Sequence, residues 1–191
     1  MYIVRNVRKL IRVQKNRRLS AIGSIGVLLL SFAFLPALAL DADKSSPVKI
    51  AVFDFELEDV SAAGASSTGE TASDLTRLQA VSGEARRVLA QSGRYSLIDT
   101  NGVDAEPVKK RSLRSCDGCD AGIALKLGAE QSFIGLVTRV AQTEYYVSLR
   151  ITDARTGKVV NQQTAFFTGA DDAWASGVRM LIKHGVLASD H

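Results

Sequence analysis

The stretch Lys49–Val60, K-I-A-V-F-D-F-E-L-E-D-V, constrains this chain more than any other. Ile50, Val52, Phe53, Phe55 and Leu57 alternate with Asp54, Glu56 and Glu58, and Phe53 is the single break in the pattern. β-Branched and aromatic residues at a two-residue period belong to a strand with one face in a core. A helical pattern follows over Thr71–Gln91, where Leu75, Leu78, Val81, Ala85, Val88 and Leu89 form one apolar stripe. Gly93 stops it, and Arg86 and Arg87 lie toward its C-terminal end, where cations suit the helix dipole. Arg94–Asp99, R-Y-S-L-I-D, then reads as a second strand parallel to the first, which requires a right-handed crossover.

Thr100–Ser115 reads as an irregular, solvated basic loop carrying Lys109, Lys110, Arg111 and Arg114, with Pro107 inside it. Cys116-Asp117-Gly118-Cys119 opens a helix over 120–127 that Gly128 closes. Strands are expected over Gln131–Ala141, Tyr145–Asp153 and Val159–Phe167, joined by tight turns as an antiparallel meander. A last helix, Asp171–Leu187, carries Asp171 and Asp172 in its first turn and a buried stripe of Trp174, Val178, Leu181 and Ile182. The predicted order is β-α-β-α-β-β-β-α. It implies an α/β (α+β) domain over 48–187, with a single mixed sheet of about five strands and helices packed on it.

The formal charge of +4 invites a nucleic-acid reading, but its distribution removes it. Residues 1–39 hold seven basic residues and no acid, which leaves 17 basic against 20 acidic in the remainder. Affinity for phosphate backbones needs clustered Lys and Arg, and that support is gone. Instead, a basic segment ending at Arg18, an apolar run from Ala21 to Leu35, and Ala37-Leu38-Ala39 have the layout of a secretory signal peptide over 1–39. The rival is an uncleaved anchor, since Ser20–Leu40 is long enough to span a bilayer. Both place the domain outside the cytoplasm, so a periplasmic location is expected, with membrane contact only through an uncleaved N-terminal segment.

Candidate chemistry is sparse. Cys116 and Cys119 are the only cysteines, spaced C-x-x-C. A structural disulfide suits an oxidising compartment, and a redox-active pair gains from a helix N-terminus. Zinc would need two more ligands, and the only histidines, His184 and His191, come late. A c-type haem needs His where Asp120 stands, so it is excluded. No cofactor or metal site is expected, and no catalytic set. The cluster Asp54, Glu56, Glu58 and Asp59 reads mainly as a strand's solvated face. Asp54 differs: inside an apolar run it is expected to be partly buried and to need a partner. The loop Ser61–Gly69 reads as a surface connection, although loops after parallel strands also form ligand sites. Asp54, Glu56, Asp120, Tyr145 and Trp174 are the candidate ligand or partner contacts, with core packing the competing role for Trp174.

V-F-D-F-E-L, R-Y-S-L-I-D, C-D-G-C, L-G-A-E, G-L-V-T-R-V, D-A-R-T-G-K and the closing D-x-x-W-x-x-G-V-R together resemble a domain-of-unknown-function family of secreted proteobacterial proteins. No activity comes with that likeness. More distantly, the order of A-V-F-D-F, Y-S-L-I-D, Leu-Gly-Ala-acid, Gly-x-Val and D-A-R-T-G is similar to TolB N-terminal and CsgG-like periplasmic α/β domains. That resemblance implies a role in docking envelope proteins rather than catalysis. The C-D-G-C loop departs from those domains, and a thiol-disulfide or metal-handling role at Cys116 and Cys119 is the alternative.

Overall fold

The computed structural model describes residues 46–66, 70–169 and 173–188. The chain divides into two units, Met1–Ala42 and Asp43–His191, and every described residue belongs to the second. The leader 1–39, Ser67–Gly69 of the loop, and Asp171, Asp172 and His191 lie outside the described residues. In chain order the elements are β1 (Val48–Val52), β2 (Glu56–Asp59), α1 (Ala72–Gln91), β3 (Tyr95–Ile98), α2 (Glu106–Lys109), α3 (Cys119–Lys126), β4 (Gln131–Ala141), β5 (Glu144–Asp153), β6 (Val159–Thr168) and α4 (Ala173–Leu181). One mixed sheet runs β3-β1-β4-β5-β6, with β2 also paired to β4. β1 is parallel to β3 and β4, and β4, β5 and β6 form the antiparallel meander.

The sheet has six strands, because Lys49–Val60 is not one strand but two. Val52 lies opposite Phe133 and Glu56 opposite Leu136, so Phe53, Asp54 and Phe55 face only Ile134 and Gly135. That single extra residue is a bulge, and it reverses the phase of the residues beyond it. Before it, Ile50 and Val52 enter one core while Ala51 and Phe53 enter a second core. After it, Phe55 and Leu57 return to the first core, whereas a regular strand would have sent Phe55 to the side of Phe53. The freed backbone groups find partners on α1 and nearby. The Phe55 N–H donates to Ser82 Oγ at 2.9 Å, and Arg86 donates to the Val52 carbonyl at 2.9 Å.

The bulge corrects two expectations. Asp54 is not buried: its side chain is 57% exposed and pairs with Arg86 at 2.9 Å. Glu56, expected on a solvated face, is buried instead. The third correction concerns 100–115, which is not wholly irregular. It holds α2 and a 3-10 turn, Leu113–Ser115, both too short to leave a periodic signal. Its basic residues are spoken for, since Lys109 pairs with Asp104, Lys110 with Glu106, Arg111 with Glu70 and Arg114 with Glu56.

α1 and α4 cover one face of the sheet, packing Leu78, Val81, Leu89, Trp174 and Val178 against Phe133, Val147, Leu149 and Ile151. Thr71 and Asp74 form a capping box at the start of α1. Glu84 on α1 is shared by Arg87 and by Arg179 of α4. The Arg87 hydrogen bonds, against an upward push from burial and with help from Arg179, hold its carboxyl at about 2. On the opposite face, α3 and the Leu113 turn close a small core of Ala51, Phe53, Leu113, Ala124 and Ala154. α4 continues into a π-helical turn, Ile182–Val186.

Gly135 is the counterpart of the bulge. A Cβ there would stand 2.3 Å from the Phe55 ring, so only glycine lets that ring cross β4. Gly135→Ala is therefore expected to cost roughly 1–3 kcal/mol through overpacking. Gly83→Ala, on the open side of α1 where a Cβ meets nothing within 4 Å, should instead gain up to about 1 kcal/mol. Urea melts of both variants beside the parent check the contrast.

Candidate functional site

The restored phase after the bulge aims Asp59 toward the helix-covered face, where its register partner on β4 is Arg139. Arg139 donates to Asp59 Oδ2 at 2.9 Å and, through its other terminal nitrogen, to Asp74 Oδ1. Its guanidinium lies 5.4 Å from the centre of the Trp174 ring, and that of Arg77 lies 5.8 Å from it. Thr71 Oγ1 donates to Asp74 at 2.8 Å, and Ser61 supplies both its N–H, at 3.0 Å, and its hydroxyl, at 2.6 Å, to Asp59. One strand end, one loop and two helix starts are tied together here.

Burial alone would raise both carboxyls, but hydrogen bonds outweigh it. Ser61 and Arg139 hold Asp59 below its ordinary value, and Arg139 and Thr71 do the same for Asp74. Burial would lower Arg139, and the two carboxylates raise it instead. Above the network opens a cleft of about 790 Å³, lined by Asp59, Asp74, Arg77, Arg139, Trp174 and the β4–β5 turn. It sits at the C-terminal ends of the parallel strands β2 and β4, where open α/β sheets place their ligand sites. Asp59 and Asp74 stay ionised and are saturated by donors, so they equip the cleft for holding a group rather than for moving protons near neutral pH.

Of the candidate contacts Asp54, Glu56, Asp120, Tyr145 and Trp174, only Trp174 borders this cleft, beside Asp59 of the acidic cluster and Ser61 of the loop that follows it. Tyr145 is buried beside it, with its ring 5.9 Å from Trp174 and 6.5 Å from Phe167. Asp54 lies apart, on the open side of Arg86. Glu56 accepts the Leu113 N–H at 2.6 Å and an Arg114 N–H at 2.9 Å. Asp120 accepts the Ser132 hydroxyl at 2.5 Å and an Arg150 N–H at 3.2 Å. A small pocket of about 140 Å³ brings Glu56, Arg114, Arg150 and Gln162 together. Cys116 and Cys119 form a disulfide with Cα atoms 5.4 Å apart, and Cys119 is the first residue of α3. Among the described residues, no group of three or more His, Cys, Asp or Glu is placed to hold a metal ion.

Asp74, Arg77 and Arg139 are not among the sequence candidates, and Asp59 is there only within the acidic cluster read mainly as a solvated face. Two signals pointed to them: the Thr71-x-x-Asp74 capping pattern, and Arg139 inside the otherwise uncharged run F-I-G-L-V-T-R-V, where a partly buried cation needs a partner.

The outer face of β5 and β6 is a separate feature. Among the described residues no helix covers Tyr146 and Phe166, which are 43% and 48% exposed with ring centres 5.2 Å apart. Among the described residues β6 pairs only with β5, so its other side is a free sheet edge.

Arg139→Met tests the network. Removing the cation leaves two carboxylates poorly compensated and is expected to cost about 3 kcal/mol at pH 7. Both carboxyls lie below 3.8 in the fold, so their contribution is complete above about pH 5 and fades as pH falls through the folded values. The stability gap between parent and variant should therefore narrow on acidification, as measured by denaturant melts between neutrality and about pH 3.

No curated protein matches the chain. Among solved structures, lipoprotein GNA1162 from Neisseria meningitidis aligns at 15% identity and a TM-score of 0.48, covering 75% of this chain and 99% of that one. The LpoB C-terminal domain from Salmonella enterica aligns at 13% identity and 0.44, covering 68% and 87%. TolB from Acinetobacter baumannii aligns at 12% identity and 0.43, covering 71% and 26%. From residue 48 to residue 186, well over half its length, the chain matches the model of, and belongs to, the DUF3280 family, described as "Protein of unknown function (DUF2380)".

Proposed function

We propose that this protein is an extracytoplasmic accessory protein that works by protein–protein contact in the cell envelope, with 1–39 as its leader and 48–187 as its one functional domain. The observation that carries this reading is the open outer face of β5 and β6. There Tyr146 and Phe166 stand side by side in solvent, with Leu136 diagonal to Tyr146 across β4. Exposed aromatic clusters of this kind are the usual anchors of protein interfaces. The near balance of 17 basic and 20 acidic residues after the leader favours a protein partner over a nucleic acid.

The test is site-directed cross-linking in cells through position 144, exposed on the same side of β5 as Tyr146, in the parent and in the double variant Tyr146→Lys, Phe166→Lys. A reproducible cross-linked envelope partner is expected from the parent. Its affinity should fall by roughly 30-fold or more in the double variant, as for paired hot-spot residues, while the melting temperature holds. Equal capture by the folded double variant contradicts the reading.

A second reading gives Cys116 and Cys119 a thiol–disulfide or metal-handling role. It is favoured by the place of Cys119 at the first turn of α3, where a helix dipole favours thiolate. A reduction potential below about −300 mV and no metal on the reduced protein would count against it. A potential near those of catalytic dithiols, or stoichiometric zinc, would support it.

A further inference from the structure

Sheet edges invite pairing, and folded proteins usually blunt a long one with charge, proline or brevity. β6 has none of these protections: it is ten residues long, V-V-N-Q-Q-T-A-F-F-T, with no charged residue and no proline. The opposite edge, β3, has four residues. One irregularity interrupts the free edge, a register shift between Asn161 and Val159 that leaves Val160 as the extra residue. From Asn161 to Thr168 the pairing with β5 is regular.

The polarity of β6 also reads the same in both directions about Gln163. Val159 and Val160 mirror Phe167 and Phe166, Gln162 mirrors Thr164, and only Asn161 against Ala165 is unlike. Asn161 Nδ2 is already committed to the Gly185 carbonyl at 3.2 Å, so an alanine opposite it strands no donor. A partner of different sequence would not require such a mirror. A two-fold interface is favoured by it, because in an isologous contact residue i meets j and j meets i, so both members of each mirrored pair must suit each other.

We propose that β6 pairs antiparallel with β6 of a second copy of this chain, about a two-fold axis at Gln163, and so joins two sheets into one. Asn161–Ala165 supplies the central ladder, and each end closes with Val160 against the partner's Phe166. Residues directly opposite in an antiparallel pair point to the same side, so the two Tyr146–Phe166 faces become one continuous outer surface. The inference goes beyond the proposed partner-binding role: it concerns the edge of the sheet, whereas that role concerns its face, and Tyr146→Lys, on β5 outside the ladder, separates the two.

Sedimentation of the full chain recovered from expressing cells tests the pairing, with two charge variants. In Q162K/T164K the new lysines oppose each other twice across the axis, and the dimer dissociation constant should rise about tenfold or more. In Q162K/T164E, which loses the same native side chains, opposite charges meet and the constant should return to within about threefold of the parent. A parent chain that is monomeric at about 100 μM overturns the proposal. So does a lysine variant that dimerises like the parent, and failure of the charge swap to restore association overturns the Gln163-centred pairing. An unchanged position-144 cross-link in Tyr146→Lys with the dimer intact would fall on the partner-binding role alone.

Discussion

The structure turns on one surplus residue. Between Val52 and Glu56 the chain spends three residues where β4 spends two, and every side chain after that point changes sides relative to a regular strand. The consequence is spatial economy: Phe55 joins Leu57 in the main core, Glu56 turns inward beneath Leu113, and Asp59 reaches Arg139. α1 is positioned by the same irregularity. Ser82 and Arg86 take up the backbone groups that the bulge leaves without ladder partners, so the first crossover helix is pinned to the sheet by polar contacts as well as by its apolar stripe. Gly135 makes room on the facing strand.

Coverage of the sheet follows from this and is uneven. One face is sealed by α1 and α4 along its length, and the other only at its parallel end, by α3 and the turn around Leu113. The ionic ties reinforce the sealed half: Arg139 with Asp59 and Asp74, and Glu84 with Arg179. All three carboxylates carry lowered values in the fold, so each stabilises above the usual carboxylate range and weakens in acid. Among the described residues, the antiparallel half, β5 and β6, is left with one uncovered face and one unpaired edge.

Much of this was legible in the sequence, and the failures have a common cause. The long elements declare themselves by period: the α1 stripe, the apolar alternation of β4 and β5, and the strand–helix–strand order all appear as read. The two misassigned carboxylates share one origin. Phe53 was visible as a break in alternation, but a period-two reading cannot tell a tolerated exception from a one-residue insertion. Strict alternation places Asp54 and Glu56 on one solvated face, and only the apolar neighbours of Asp54 argue for its burial; the structure exposes Asp54 and buries Glu56. α2 escaped because four residues carry no period. The cleft network is not legible because its members are far apart in the chain: the parallel register of β2 on β4 brings Asp59 to Arg139, and the start of α1 brings Asp74.

The bulge is tested most directly by deletion. If Asp54 is the surplus residue, removing it leaves Phe53 and Phe55 opposite Ile134 and Gly135 with every side chain still on its present face. Unfolding midpoints of the Asp54 deletion and of a Leu57 deletion in the same strand pair would decide the matter. The Asp54 deletion should fold, exchanging the Ser82 and Arg86 contacts to the bulged backbone for ladder hydrogen bonds and losing the exposed Asp54–Arg86 pair, a cost of about 1 kcal/mol or less for that pair, while the Leu57 deletion should not fold. An Asp54 deletion that unfolds as readily as the Leu57 deletion would contradict the account.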